Sequence, residues 1–513
     1  MRNNVGLFLT KRAYLNPNLE ALVEVERRRR FTYAELNTRA NRTASALLSK
    51  GVKAGDRVAL LLRTGVEFAE TYFALAKMGA LLVPLNWRLV PHELEFMLRD
   101  SGASVLIYDP EFDATAKALH ERETPVQTWI RTGNRNSCSG FAESYDTLTH
   151  KAPSGEPDIR AADDDPLLIV YTSGTTGLPK GAIHTHKTMT WACFTWILSI
   201  DFRRYDRMLL FAPPFHVGVL LPLTLLIHLG GTNVVMRSFD IARVFRAIEQ
   251  EKITATFAVP TMLQLMIDYP ERQEYDCSSL RWILVGAGVV PRVLISRYST
   301  FGTVILQDYG TTESLGPATI ISPEEVGKKP DSAGKACFHT DVRVVDEQGK
   351  NVDPNRIGEV VVRAPHVMKG YWNRPEATAE AIRDGWLYTG DLANMDEDGC
   401  IYIRDRKKDM IISGGENIYP VEIENVLLAH PRIKEVAVIG LPSTQWGESP
   451  AAIVVAKEGK RLSAEEVIAY CRGKMAGYKI PRAVEFVEEI PRSATGKAQK
   501  HLLRARFPGP APQ

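Results

Sequence analysis

The sequence predicts an α/β protein: a large N-terminal domain of parallel α/β sheets with a small β-rich subdomain, followed by a small α+β C-terminal domain. Three observations predict it. Strand and helix signals alternate from residue 18 to residue 110, which implies parallel strands covered by helices on both faces. An apolar run stopped by a turn residue recurs at ITATFAVP, RWILVGAG and TVILQDYG, the last two closed by glycine. Past residue 405 a helix, two strands and a second helix follow in the order of a separate small domain. The division this gives is 1–405 and 406–513.

Taken in order, ALVEV, the run Arg27 to Arg30, and FTYAEL form a hairpin leading into a helix over NTRANRTASALLSKG. The four arginines are expected in a solvated turn, with a patch for a membrane surface or an anionic ligand as the alternative. RVALLL, ALLVPL and SVLIYD are strands, and EFAETYFALAKMG and HELEFMLRDSG are helices. Residues 111–165 are polar and irregular, the pattern of a connecting segment. The strand Leu167 to Val170 leads into a glycine-rich stretch, and a helix with Trp191, Phe194 and Trp196 follows. MLLFAPPFH is a strand. The apolar run Val217 to Leu229 carries Pro222 and His228 and is too short for a membrane span, so a buried helix is expected. Short strands from Val342 to Val362, with turns at DEQGK and NRIGE, make the β-rich subdomain, and a further strand ends at IYIRDRKKD. PVEIENVLLAH and AEEVIAYCRGKM are helices, VAVIGLP and AAIVVAK strands, and FPGPAPQ a disordered tail.

A chain of 513 residues needs more than one core. Its 45% hydrophobic and 24% charged residues are those of a soluble globular protein. A net charge of +2 argues against a nucleic-acid surface. The six cysteines form no CxxC pair, which fits reduced thiols in the cytoplasm better than a disulfide frame or zinc site. VGLFL, closed by Lys11 and Arg12, is too short for a secretion signal. Peripheral membrane contact and a homodimer stay open.

The stretch Tyr171 to Gly181, YTSGTTGLPKG, organises the rest. After Tyr171 it packs three glycines, four hydroxyl side chains and one lysine into ten residues. Glycines let backbone amides turn toward an anion, hydroxyls add donors, and Lys180 adds a point charge. That composition suits a polyphosphate, and equally a plain turn. It is not a Walker A loop, since GTTGLPKG does not fit GxxxxGK[ST].

The full string closely resembles the phosphate loop of the AMP-forming adenylating superfamily, which includes acyl-CoA synthetases, luciferases and peptide-synthetase adenylation domains. The resemblance implies that Thr172, Ser173, Gly174, Thr175, Thr176 and Gly177 bind ATP, with Gly286 and Ala287 beside the nucleotide. QDYGTTES, Gln307 to Ser314, resembles the family YGxTE motif. Tyr309 then stacks on the purine, while Thr312 and Glu313 serve catalysis; Thr176 and Glu313 provide oxygens for Mg2+. Asp391 in GWLYTGDL matches the aspartate that accepts the ribose hydroxyls, and Arg406 the arginine that reaches ribose and phosphate. Lys408 matches the hinge. Gly414, Gly415 and Glu416 match a loop on the CoA side, where small residues let pantetheine pass. PRSATGKAQK resembles PRTxTGK, with Ser493 in place of the commoner threonine, and assigns Lys497 to bridge the substrate carboxylate and α-phosphate. Five motifs in family order cover residues 170–500.

What the resemblance implies is an ATP-dependent acyl-CoA synthetase using Mg2+ and coenzyme A. A carboxylate attacks the α-phosphorus to give acyl-AMP and pyrophosphate; the CoA thiol then displaces AMP after the small domain rotates. Acyl-pocket candidates are Trp191, Phe194, Trp196, His216, Val217, Val259, Gly286, Leu315 and Gly316, none of which carries a carboxylate. In PPFHVGV, His216 stands where amino-acid-activating domains have aspartate, and PLNWRL, Pro84 to Leu89, looks like fatty-acyl-CoA synthetases. The expected substrate is a medium- or long-chain fatty acid, with an arylpropenoate as runner-up. A luciferase-like oxygenase shares the motifs. A peptide-synthetase domain is expected to adjoin a carrier domain, for which this chain leaves no room. A non-catalytic binding protein is the remaining class.

Overall fold

The computed structural model describes residues 3–133, 140–158, 161–172, 179–286, 290–407, 409–413, 416–443, 445–475, 477–492 and 498–508. The first of its sheets has nine strands, in the order Lys335–Ala336, Gly316–Ile320, Val304–Thr311, Trp282–Val285, Ala255–Ala258, Arg207–Leu210, Thr232–Val235, Glu20–Glu24 and Arg29–Thr32. The six from Val304–Thr311 to Glu20–Glu24 run parallel, with antiparallel strands at both ends. The second has eight: Gly370–Tyr371, Lys180–Thr185, Pro166–Thr172, Leu81–Pro84, Arg57–Leu61, Val105–Tyr108, Thr128–Arg131 and Glu143–Ser144. Here the run from Pro166–Thr172 to Glu143–Ser144 is parallel. Strands such as Trp282–Val285 and Val105–Tyr108 are buried at every residue, as a sheet covered on both faces requires.

The helix Val66–Met78 is buried throughout. It even buries Lys77, whose Nζ donates to Asn37 Oδ1 (2.6 Å), Asn41 Oδ1 (2.7 Å) and Glu156 Oε2 (2.8 Å). A buried ammonium is tolerated when its protons all find acceptors. The expected apolar helix is Val217–Leu229, joined to it where Tyr72 Oη meets Thr224 Oγ1 at 2.9 Å. Gly230 ends it at φ 92°, a left-handed turn that glycine adopts without strain.

The third sheet, all antiparallel, holds Asp341–Val345, Ile357–Arg363, Trp386–Met395 and Ile382–Arg383, with Ile401–Arg406 paired to Trp386–Met395. The fourth holds Glu416–Ile418, Ile411–Ser413, Gly447–Ala456 and Ile433–Ser443, with Ala483–Phe486 paired to Gly447–Ala456. The helices Pro420–Leu428 and Ala464–Cys471 complete a small α+β unit. Where the third sheet meets the helix Pro420–Leu428, Asp405 Oδ2 accepts from Val421 N–H at 3.2 Å, and burial pushes its carboxyl up to about 6.

Several expectations are corrected. The first long helix starts at Tyr33, because Thr32 and Glu35 form a capping box before it. Residues 111–165 are not merely a connector: they contain the helix Asp113–His120 and the strand Thr128–Arg131, which extends the second sheet. Arg131 ends that strand buried because Asp113 takes both its Nε and Nη2 protons at 2.8 Å. The strand Lys180–Thr185 intervenes before the helix His186–Ser199. The arginine run is not simply solvated: Arg27 and Arg29 pair with Glu24 and Glu67, and Arg30 with Glu20 and Glu251. A helix, Lys500–Arg506, stands near the C-terminus, and residues 509–513 of the expected tail lie outside the described residues. Among the described residues no helix is long and apolar enough to cross a membrane.

Candidate functional site

The candidate residues gather at one edge. In the first sheet, Arg207–Leu210 leads to His216, Ala255–Ala258 to Val259, Trp282–Val285 to Gly286, and Val304–Thr311 to Thr312 and Glu313. All follow the carboxyl ends of parallel strands, the edge where open α/β sheets bind ligands. Lys180 is supplied by the second sheet, and Asp391 and Arg406 by the third.

Polar pairs join these elements. Tyr309 Oη donates to Asp391 Oδ2 at 2.9 Å, and Arg406 Nε lies 3.2 Å from Asp391 Oδ1. The Asp391–Arg406 pair follows from strand register, since the two residues stand opposite each other. Burial, then the Asp391 charge, pushes the Tyr309 hydroxyl well above its ordinary range, so it stays a donor. Tyr371 Oη donates to Glu313 Oε1 at 2.8 Å, and the Lys180 ammonium lies 5.3 Å from the Tyr371 ring centroid. Burial and Glu313 raise the Tyr371 hydroxyl in the same way. Among the described residues Glu313 Oε2 has no hydrogen bond, so the carboxylate retains a hard oxygen suited to Mg2+.

The turn carrying Thr312 and Glu313 is held from behind. His184 Nε2 donates to Thr312 O at 2.8 Å, and His366 Nδ1 donates to Ser314 O at 2.6 Å. Burial lowers both imidazoles to about 4, which keeps them neutral at physiological pH. Leu315, fully buried, sits at φ 51° in this turn, a left-handed conformation rare outside glycine. Such strain persists where packing fixes it, often at functional turns. Thr172 and Lys180 pair between the strands Pro166–Thr172 and Lys180–Thr185, with Thr172 Oγ1 3.4 Å from Lys180 O.

The opposite face of the strand Val304–Thr311 is mostly apolar. Trp196 and Leu221 close on Gly316, where a Cβ would meet Trp196 Nε1 at 3.1 Å and Leu221 at 2.8 Å. Trp196, rather than Trp191, therefore borders Gly316; Trp191 lies edge-on to His339 at 5.1 Å, and Phe194 is 40% exposed. Val217 opens the helix Val217–Leu229, and the Phe257 ring packs against Gly218. His216 packs edge-on to Phe215, which meets Trp87 of PLNWRL, with the Arg63 guanidinium 3.6 Å from the Trp87 centroid. Asp308 stands beside Gly286, where a Cβ would lie 2.8 Å from Asp308 Oδ1.

Ser173, Gly174, Thr175, Thr176, Gly177, Ala287, Lys408, Gly414, Gly415, Ser493 and Lys497 lie outside the described residues, and Glu416 begins the strand Glu416–Ile418. Sequence reasoning passed over His184, Asp308, His366 and Tyr371. Tyr371 contacts Glu313 across 58 positions, which no local pattern reports. Asp308 lies inside QDYGTTES, where it reads as a spacer.

Comparison with known proteins defines the class: the protein is an AMP-forming acyl- or aryl-CoA ligase. The chain belongs to the AMP-binding enzyme family, which matches residues 9–372, and the family's C-terminal domain matches residues 422–497. It is 41% identical over 513 residues to the long-chain-fatty-acid–CoA ligase FadD13 of Mycobacterium tuberculosis, covering 99% of this chain and 100% of that protein. It is 42% identical over 512 residues to a feruloyl-CoA synthase of Amycolatopsis sp, with the same coverage. Among solved structures it resembles o-succinylbenzoate CoA synthetase of Bacillus subtilis with its acyl-adenylate: TM-score 0.87, 33% identity, 98% of each chain covered. The same enzyme with ATP and magnesium gives TM-score 0.86 and 34% identity, over 97% of this chain and 99% of that one.

Proposed function

We propose that this ligase activates a medium- or long-chain fatty acid, with an arylpropenoate as the second reading. The cofactor and co-substrates are Mg2+, ATP and CoA. The observation carrying the reading is the convergence of Lys180, Glu313, Asp391 and Arg406, from three sheets, at one strand edge that is apolar on its other face. The second reading is favoured by the feruloyl-CoA synthase relative.

In the first half-reaction the acid carboxylate attacks the α-phosphorus and pyrophosphate leaves. The barrier is repulsion between anions plus charge developing at phosphorus, which preorganised cations lower. Lys180 and Lys497 supply that charge. Glu313, oriented by Tyr371, would hold Mg2+, which when bound neutralises phosphate oxygens. Asp391 accepts from the ribose hydroxyls, and Arg406 fixes the Asp391 carboxylate. In the second half-reaction the CoA thiolate attacks the acyl carbonyl and AMP leaves. Rotation about Lys408 withdraws Lys497 and brings Gly414 and Gly415 to the pantetheine side.

Each methylene buried against Trp196, Leu221 and Leu315 gains roughly 0.8 kcal/mol, so acetate should be poor. The test is kcat/KM for CoA-dependent AMP release over acetate, octanoate, palmitate, 4-coumarate and phenylalanine. The reading requires octanoate or palmitate to lead; 4-coumarate leading selects the second reading, and acetate or phenylalanine leading rejects both.

A further inference from the structure

We propose that His184 and His366 are positioning residues for the metal: through the backbone of the Thr312–Ser314 turn they fix where Glu313 presents its carboxylate to Mg2+. The proposal rests on the reading above, that Glu313 holds Mg2+ beside ATP.

Three consecutive carbonyls of this turn are each tied to a donor from elsewhere in the fold. Thr312 O accepts from His184 Nε2 at 2.8 Å, Glu313 O from the Met368 N–H at 2.7 Å, and Ser314 O from His366 Nδ1 at 2.6 Å. His184 belongs to the strand Lys180–Thr185 of the second sheet; His366 and Met368 lie between the strands Ile357–Arg363 and Gly370–Tyr371. These two supports are themselves joined, since the Lys369 N–H donates to Ile183 O at 2.9 Å. Leu315, next in the chain, stays at φ 51°, strain that such ties sustain. The Glu313 carboxylate is set separately, by Tyr371. With both its backbone and one carboxylate oxygen held, Glu313 has few ways to move the other oxygen.

Satisfying the carbonyls does not by itself call for these imidazoles. Thr312 O already accepts from the Leu315 N–H at 3.1 Å within the turn. His184 is fully buried, and its Nδ1 is enclosed with no hydrogen-bond partner among the described residues. An apolar side chain would fill that place without leaving a nitrogen unpaired. What the imidazole adds is a rigid N–H at fixed reach from the second sheet. His366 is the same device with its tautomer set. Its Nδ1 donates to a carbonyl, so Nε2 of the neutral ring accepts from Thr340 Oγ1 at 3.1 Å. Burial keeps both rings neutral, so neither places a positive charge behind the metal-binding carboxylate.

The experiment measures ATP binding by calorimetry without acid, with and without Mg2+, and AMP binding beside it. The ratio of the ATP Kd without Mg2+ to that with it reads the metal's share. His184→Ala and His366→Ala should each lower this ratio roughly 10-fold, the scale of groups that orient a metal ligand, and leave AMP binding unchanged. His184→Gln and His366→Asn put an amide N–H where Nε2 and Nδ1 stand and should restore most of the ratio. His184→Asn and His366→Gln, whose amides are misplaced, should not. If the alanine variants fail to fold, the matched and mismatched amides decide by the same ratio. His186 is a buried imidazole that accepts from the Val5 N–H at 3.0 Å. His186→Ala should lower the melting temperature and leave the ratio alone. An unchanged ratio at both positions, ATP and AMP affinity falling together, equal ratios for matched and mismatched amides, or the same loss in His186→Ala overturns the proposal. Glu313→Gln separates it from the reading beneath. If Glu313→Gln keeps the wild-type ratio, Glu313 is not the metal ligand and both fall. If it lowers the ratio and the histidine variants do not, only this proposal falls.

Discussion

Tyr309 and Asp308 are adjacent residues whose two regions are prepared for different partners. On the Tyr309 face the polar groups are held before any ligand arrives: Tyr309 on Asp391, Asp391 against Arg406, Glu313 under Tyr371, and the Thr312–Ser314 backbone on His184 and His366. On the Asp308 face the enclosed polar atoms Asp308 Oδ1 and Trp196 Nε1 have no hydrogen-bond partner among the described residues. Under the proposed reading the first region meets ATP, where charge develops at one fixed atom, the α-phosphorus. Under the same reading the second meets the acid. Preorganisation lowers a barrier only where charge develops predictably, and selectivity is gained where a wrong occupant leaves polar groups unpaired.

Substitutions can break this contrast. Lys497→Ala should have the largest effect, slowing acyl-AMP formation by on the order of 10²–10³-fold while thioester formation from supplied acyl-AMP survives. Single-turnover assays of each half-reaction measure it, and equal damage to both would remove Lys497 from the first step. Asp391→Ala strands the Tyr309 hydroxyl and Arg406. It should lower kcat/KM for ATP roughly 10- to 100-fold and leave the ranking of acids unchanged. A changed ranking would show that the two faces are not separate. Tyr371→Phe frees Glu313 Oε1 and should raise the Mg2+ concentration for half-maximal rate by about 10-fold, read from a magnesium titration.

Smaller effects sharpen the acyl side. Gly286→Ala sets a methyl against the Asp308 carboxylate and should cost several-fold, roughly 3- to 10-fold, in kcat/KM for the acid. Adding Asp308→Ala should return part of that loss, because the clashing group is gone; an additive loss would place the strain elsewhere. Asp308→Asn should also change stability. The folded protein holds this proton up to about 7, above the ordinary carboxylate range, so it binds more protons than the unfolded chain between those values. Stability from this group is therefore greatest at low pH and falls as pH rises toward 7. The Asn variant should melt about 1–3 °C above wild type at pH 8 and show little difference at pH 4.

Much of this was legible in the sequence, for particular reasons. Val217–Leu229 was readable as a buried helix because an uncharged apolar run of that length has few other fates. The repeated apolar runs that stop at a proline or glycine located the carboxyl edge, as at Trp282–Val285 followed directly by Gly286. The strand Lys180–Thr185 was not readable: Lys180 and His184 break its apolar pattern, and its buried His184 is explained only by a carbonyl 128 positions away. Thr128–Arg131 failed similarly, because its arginine is neutralised by Asp113 from a preceding helix. Motif reading found the residues proposed to meet the nucleotide, where spacing within a strand and turn carries the chemistry. It missed Tyr371 and Asp308, whose meaning depends on which side chains lie across the sheet.

Exchange of labelled pyrophosphate into ATP, run with and without acid and with and without CoA, tests the central claim most directly. Exchange should require an acid and Mg2+, proceed without CoA, and give AMP and a CoA thioester in equal amounts once CoA is added. Exchange without any acid, or release of ADP instead of AMP, would contradict the account.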